Sequence, residues 1–134
     1  MNIRPETPSD FAAIDMVHLS AFGQDEEARL VRKLRKAKAV QVSLVAEVAS
    51  EIAGHILFSP VSAAVNPRKA RLGGLAPLGV SSAYHGMGIG SSLMREGLAA
   101  CEQMGIGAVF VLGDPGYYSR FGFTRADLAG FSCE

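Results

Sequence analysis

The spacing of apolar and polar positions divides the chain into helical and extended segments. Asn2 to Glu6 reads as a short first strand. Thr7-Pro8-Ser9-Asp10 then carries the signals of a helix start: a hydroxyl that can cap, a proline in the first turn, and an acid three residues after the cap. Phe11, Ile14, Val17 and Ala21 recur at helical spacing, and Gly23 closes the segment. A second helix is expected from Gln24 or Asp25. Its acids lead (Asp25, Glu26, Glu27) and its bases trail (Arg32, Lys33, Arg35, Lys36), as the helix dipole favours. Leu30, Val31 and Leu34 form its expected buried stripe. The basic run from Arg29 to Lys38 reads first as a solvated face and second as a place for an anionic ligand.

Gln41 to Val48 alternates in its first half and reads as a strand, Ala49-Ser50-Glu51 as a turn, and Ile52 to Val61 as the antiparallel partner strand. Asn66-Pro67-Arg68-Lys69 marks a loop. Ala70 to Val80 is extended, but Gly73, Gly74, Pro77 and Gly79 are too many breakers for a regular central strand. They predict a bulge, or backbone that a ligand approaches. Ile89, Leu93, Met94, Gly97, Cys101 and Met104 mark a third helix ended by Gly105. Ala108 to Leu112 is an unbroken apolar run, as expected of a strand buried on both faces. Strand, helix and strand make a parallel crossover, so the class is α/β (α+β) with a mixed sheet.

Composition narrows the function. The chain has 134 residues, 49% apolar and 19% charged, which fits one globular domain over residues 1–134. Thirteen basic and thirteen acidic residues leave no net charge, which argues against a dedicated nucleic-acid or anionic-membrane binder. Cys101 and Cys133 make no disulfide framework, and no metal-ligand spacing occurs among the cysteines and His18, His55 and His85. Neither a leader nor a membrane-length apolar run is present, so a cytoplasmic setting is expected.

The chemistry concentrates at His85-Gly86-Met87-Gly88-Ile89-Gly90, between an apolar strand and a helix that opens near Ser91. Glycines let backbone N–H groups meet an anion closely, and a helix N-terminus adds partial positive charge. The loop lacks the lysine of a Walker motif and the glycine spacing of a dinucleotide fingerprint, so both nucleotide readings fail on detail.

His85-Gly86-Met87-Gly88-Ile89-Gly90-Ser91-Ser92-Leu93 resembles the acetyl-CoA loop of the GNAT N-acyltransferase superfamily, with His85 where Gln or Arg is usual. Tyr118-Ser119-Arg120-Phe121-Gly122-Phe123 resembles the later motif of that family, a tyrosine shortly before Gly-Phe. Phe22 to Arg35, Gly54 to Pro60, Pro77 to Val80 and Leu112 to Pro115 are similar to its YhbS-like branch, so the resemblance spans nearly the whole chain. It implies the GNAT fold, a central mixed sheet flanked by helices. Relatives continue past Gly-Phe with two more strands, whereas this sequence stops at Glu134, a short way past Phe123. The last strands are therefore expected to be truncated, or the edge to be completed differently. An unpaired edge would invite a second copy, and a monomer in sedimentation would count against such a homodimer.

The resemblance implies an acetyl-CoA-dependent N-acetyltransferase acting on an amine acceptor by direct attack in a ternary complex. Leu78, Gly79 and Val80 would carry the pantetheine arm, and the backbone from His85 through Gly86, Met87, Gly88, Ile89 and Gly90 to Ser91 would carry the pyrophosphate. Tyr118 would protonate the departing thiolate, or merely pack as its neighbour Tyr117 does. The base is left open among His55, Glu26, Glu27, Asp114 and a water chain; for His55 and Glu27 the plainer roles are a structural strand histidine and a helix-start acid. The alternatives are a non-catalytic acyl-CoA binding or sensing module and an unrelated nucleotide-binding domain.

Overall fold

The computed structural model describes residues 1–61, 71–111 and 131–132. Six strands form one sheet in the order β1-β2-β3-β4-β5-β6: Asn2–Pro5, Val42–Val48, Glu51–Pro60, Arg71–Val80, Ile106–Val111 and Phe131–Ser132. The pairs from β1 to β4 are antiparallel, β4 and β5 are parallel, and β5 and β6 are antiparallel. The sheet is therefore mixed. The parallel pair is joined by α3 (Ile89–Gln103), as the crossover pattern predicts. Beyond β5, Phe131 and Ser132 pair antiparallel with Val109 and Ala108.

Helix α3 packs on one face of the sheet, over Leu44, Ala46, Ile56, Phe58, Leu75, Leu78 and Val80. Helices α1 (Phe11–Phe22) and α2 (Glu26–Lys36) cover the other face, where Ile14, Val31, Val45 and Leu57 cluster. Because both faces are covered, the alternation expected in β2 does not reach solvent: Val42 to Ala46 are all buried, Ser43 included. The β2–β3 turn is tight, with Ala49 and Ser50 both at positive φ, the geometry that matches strand twist. In α3, a Cβ on Gly97 would lie 2.5 Å from the Phe58 ring, so this glycine lets the helix sit close on the sheet.

Several expectations are corrected. Thr7 opens a 3-10 turn (Pro8–Asp10), and α1 starts only at Phe11. The Asp10 carboxylate accepts from the Thr7 amide at 2.8 Å and binds Arg4 at 2.8 Å, so the turn is tied to β1. Leu30 is exposed, because the buried stripe of α2 runs through Ala28 and Val31. Met104 lies in the cap of α3 and is exposed. Phe110 is 39% exposed, so β5 is not buried on both faces: α3 covers the side carrying Ile106 and Val109.

The glycine-rich β4 is one continuous strand, and the predicted bulge is present. Ile56 pairs with Leu78 and Phe58 with Leu75, which leaves one extra residue on β4 at Ala76-Pro77. Pro77 lies at this bulge, where no ladder N–H is required of it. The bulge also explains how Leu75 and Leu78, three apart, both face α3, which a period of two forbids.

Candidate functional site

The site is built around the end of β4, beyond its described pairing with β5. Pairing with β5 ends at Leu75 and Val111, whereas pairing with β3 continues through Leu78, Gly79 and Val80. On the β5 side, the last residues of β4 thus have no described strand partner. Leu78 and Val80 bury their side chains under α3, and Gly79 faces α1. What these three residues offer at that edge is backbone.

From Val80 the chain passes through a 3-10 turn (Ser82–Tyr84) into the glycine loop. The turn is pinned to α1, because the Ser82 amide donates to Ser20 Oγ at 3.0 Å. The Tyr84 hydroxyl donates to Glu51 at 2.6 Å, and this bond raises the Tyr84 pKa. Gly86 and Gly88 hold φ values of 80° and 74°, and a Cβ at either would meet nothing within 4 Å. Glycine is needed there for conformation, and the space over the loop is open. Gly88 caps α3, and the Ser92 amide bonds back to the Gly88 carbonyl. The amides of Ile89 and Gly90 come before that first helical bond, so no helical carbonyl engages them. Met87 is exposed, whereas Ile89 and Gly90 are buried against the sheet. His85 Nε2–H donates to the Val80 carbonyl at 2.9 Å, fastening the loop to the end of β4. This gives the histidine a holding role where the family pattern has Gln or Arg.

A buried polar chain runs beneath this edge on the opposite face, and the sequence reading did not join its members. Arg35 grips Glu6 with two hydrogen bonds of 3.0 Å and stacks over Phe11 at 3.7 Å. Arg35 thus departs from the solvated-face reading, which Arg32, 52% exposed, does follow. Ser43 Oγ–H donates to Glu6 Oε1, His55 Nε2 lies 2.8 Å from Ser43 Oγ, and His18 Nε2 lies 2.8 Å from His55 Nδ1. Burial alone would raise the Glu6 carboxyl, but hydrogen bonds from His55, Arg35 and Ser43 bring it down to about 2. Burial, with His55 and Arg35 nearby, lowers His18 to about 2. Burial also lowers His55, against the pull of Glu6.

Both ring nitrogens of His55 are engaged and the residue is fully buried, so it is not a free base. Glu27 takes its helix-start role, accepting from Gln24 at 3.4 Å. Glu26 is an exposed first-turn acid of α2. Tyr118, Gly122, Phe123, Asp114 and Cys133 lie outside the described residues. Cys101 is buried, as its helical position predicts. Among the described residues no helix is long and apolar enough to cross a membrane. The missed members carried one legible signal: His18 falls four residues after Ile14, on the buried stripe of α1, where a polar residue needs a partner.

Residues 2–126 match the family model of the GNAT acetyltransferase domain. The chain is 40% identical to the uncharacterised N-acetyltransferase YhbS of Escherichia coli K12 over 134 residues, 99% of this chain and 79% of that protein. The crystal structure of Escherichia coli YhbS in complex with CoA superposes with a TM-score of 0.80, covering 93% of this chain and 69% of that one. A GNAT family acetyltransferase from Brucella melitensis in complex with acetyl-CoA gives 0.80 at 40% identity, covering 98% of this chain and 86% of that one.

Proposed function

The chain belongs to the GNAT acetyltransferase family, and on that premise we propose that it transfers an acetyl group from acetyl-CoA to a primary amine by direct attack in a ternary complex. The observation that carries this reading is the union, on one crossover, of the β4 backbone edge beyond Leu75 and the open glycine loop that starts α3. The complexes of the Escherichia coli and Brucella melitensis relatives with CoA and acetyl-CoA support the choice of donor.

Leu78, Gly79 and Val80 bind the pantetheine arm along the end of β4, and their N–H groups polarise the thioester oxygen as it gains negative charge. Backbone N–H groups from His85 to Ser91 receive the pyrophosphate, where the positive φ of Gly86 and Gly88 turns the loop and the helix end adds favourable potential. His85 keeps that loop registered on β4 through Val80. Acetyl-CoA supplies the activated acyl carbon. Tyr118 protonates the departing sulfur. A donor shared with central metabolism and a buried reduced thiol at Cys101 suit a cytoplasmic setting.

The test has two steps. Acetyl-CoA should raise the melting temperature of the full chain, and NAD or ATP should not. Thiol release is then followed against a panel of primary amines. Tyr118→Phe should lower kcat about 10²-fold while keeping the acetyl-CoA shift. Turnover equal to the parent's at its pH optimum removes the acid role. A thermal shift without thiol release from any amine assigns the chain to non-catalytic acyl-CoA binding.

A further inference from the structure

The ladder between β3 and β4 decides which peptide groups at the end of β4 can meet a donor. The Ser81 amide donates to the Ala53 carbonyl at 2.8 Å, and the register from Gly54–Val80 to Ile56–Leu78 runs without a shift. Bonded and non-bonded pairs alternate along an antiparallel ladder. Gly79 and His55, two positions on from Ser81 and Ala53, are therefore a bonded pair and turn their peptide groups to each other. The N–H and C=O groups of Leu78 and Val80 point the opposite way, away from β3. Of the three residues assigned to the donor, Leu78 and Val80 thus make the contact, and Gly79 is the joint between them. Its φ and ψ fix how the Leu78 carbonyl and the Val80 N–H stand to each other.

A glycine is the loosest joint a strand can have. This one is held from the α1 face. A Cβ built on Gly79 would lie 2.6 Å from His18 Nδ1, 3.0 Å from His18 Cε1 and 3.5 Å from the Ala21 methyl, so the imidazole fills the place of a side chain. The ring is itself fixed by a chain that can be read from its anchored end. Glu6, ionised and gripped by Arg35, only accepts. The Ser43 proton goes to Glu6, so Ser43 Oγ accepts from His55 Nε2–H. Burial keeps His55 neutral, and its Nδ1 accepts from His18 Nε2–H at 2.8 Å. His18 then carries no proton on Nδ1, which has no hydrogen-bond partner among the described residues, and this lone pair rests on the Cα–H of Gly79. Phe22 stacks on the ring with centroids 6.0 Å apart. An apolar side chain of similar size would fill the space without the desolvation that a buried imidazole costs, but no bond would hold it in one orientation.

We propose that His18 is a positioning residue of the acetyl transfer: its ring, oriented by His55, Ser43 and Glu6, presses on Gly79 and so aims the Val80 N–H and the Leu78 carbonyl at the donor. The inference rests on the acetyltransferase reading and deepens it at β4. The ring exchanges no proton with substrate and needs no access to it, because it acts through the Gly79 backbone. The effect reaches the reaction at the thioester oxygen, which gains negative charge as the amine adds. A misplacement of about 1 Å in a group that serves this step costs about 10²-fold in rate. The same contact accounts for glycine at position 79, since any side chain there would collide with the ring that sets the joint.

The experiment uses the full chain and acetyl-CoA labelled with ¹³C at the thioester carbonyl, without amine, so that infrared difference spectra read the bound carbonyl stretch. In the parent the stretch should fall below that of free acetyl-CoA. In His18→Leu, which fills similar space but cannot bond to His55, it should lie close to the free value while the acetyl-CoA melting shift is kept. His18→Gln still donates to His55 and should restore most of the parental stretch. With an amine that the parent accepts, His18→Leu should lower kcat of thiol release about 10²-fold with KM for acetyl-CoA within about threefold, and His18→Gln should recover about tenfold or more.

Parental stretch and turnover in His18→Leu reduce the ring to packing and overturn the proposal, as does a parental stretch that binding leaves unmoved. Gly79→Ala serves if His18→Leu does not fold. Its methyl displaces the joint from the other side, so it should lose the carbonyl shift as well, and a parental stretch and turnover in Gly79→Ala also overturn the proposal. If acetyl-CoA raises no melting temperature in the parent, the acetyltransferase reading falls and the proposal falls with it. If acetyl-CoA binds but no amine releases thiol, only the transferase reading falls, and the stretch in His18→Leu still decides whether the ring holds Gly79.

Discussion

Arg35 and Glu6 show how one residue can be misread from its neighbours. In the sequence, Arg35 is one base in a run whose other members face solvent. In the fold it is 13% exposed, bidentate to Glu6, and laid over Phe11. Breaking a fully buried pair by removing one partner costs about 3–5 kcal/mol, an upper bound for this part-buried pair. Arg35→Ala should therefore destabilise the chain in urea unfolding by about 2 kcal/mol or more, between the surface and fully buried cases. Arg29→Ala removes an exposed i,i+4 pair with Asp25 at 2.9 Å and should change stability by less than about 1 kcal/mol. Equal effects would mean that the Glu6–Arg35 pair is no better than a surface contact.

At the scale of elements, the glycines separate into two kinds. Gly86 and Gly88 are required by φ, with open space around them, so they shape the loop. Gly79 and Gly97 are required by proximity, to His18 and to Phe58. The second kind sets the distances between layers. Gly97→Ala should push α3 away from β3, costing about 1–3 kcal/mol in thermal or urea unfolding, as overpacking of a filled core does. The Phe58→Leu change in the same chain should recover part of that loss by making room. A Gly97→Ala variant as stable as the parent would show that α3 does not depend on this close approach.

For the whole molecule, acid stability follows from the same buried chain. His18 and His55 have folded pKa values lowered from 6.5, so the unfolded chain binds their protons more readily. Their contribution is present in full above about pH 6.5 and is lost as pH falls below it, by about 1.4 kcal/mol per pH unit for each group. Glu6, lowered from 4.5, adds a loss of the same sign below about pH 4.5, and so does Asp10, held well below the carboxylate range by its hydrogen bonds to Arg4. Unfolding free energy should thus begin to fall near pH 6.5, before any carboxylate titrates. In His18→Gln, the slope between pH 6.5 and pH 5 should be about half the parent's. A parent curve flat down to pH 5 would contradict neutral, buried histidines.

Much of this architecture was legible in the order of residues because it rests on local rules. Hydrophobic period, cap residues, turn glycines and a strand–loop–helix pattern located three helices, the hairpin, the parallel crossover and the glycine loop. Pro77 among glycines announced the bulge on β4. The class of chemistry was equally legible, since Gly88, Gly90 and the Tyr118-to-Phe123 segment stand in a fixed order. Packing decided the rest. Glu6 follows β1, while His18, Ser43 and His55 come from α1, β2 and β3, and only the stacking of α1 on β2 and β3 joins these four ordinary polar residues into one hydrogen-bonded chain. Exposure of Leu30 and Phe110, partial burial of Arg35 and burial of Ser43 likewise depended on which face each neighbouring layer covered. Sequence periodicity specifies a face; it takes the tertiary fold to place a partner or solvent on it.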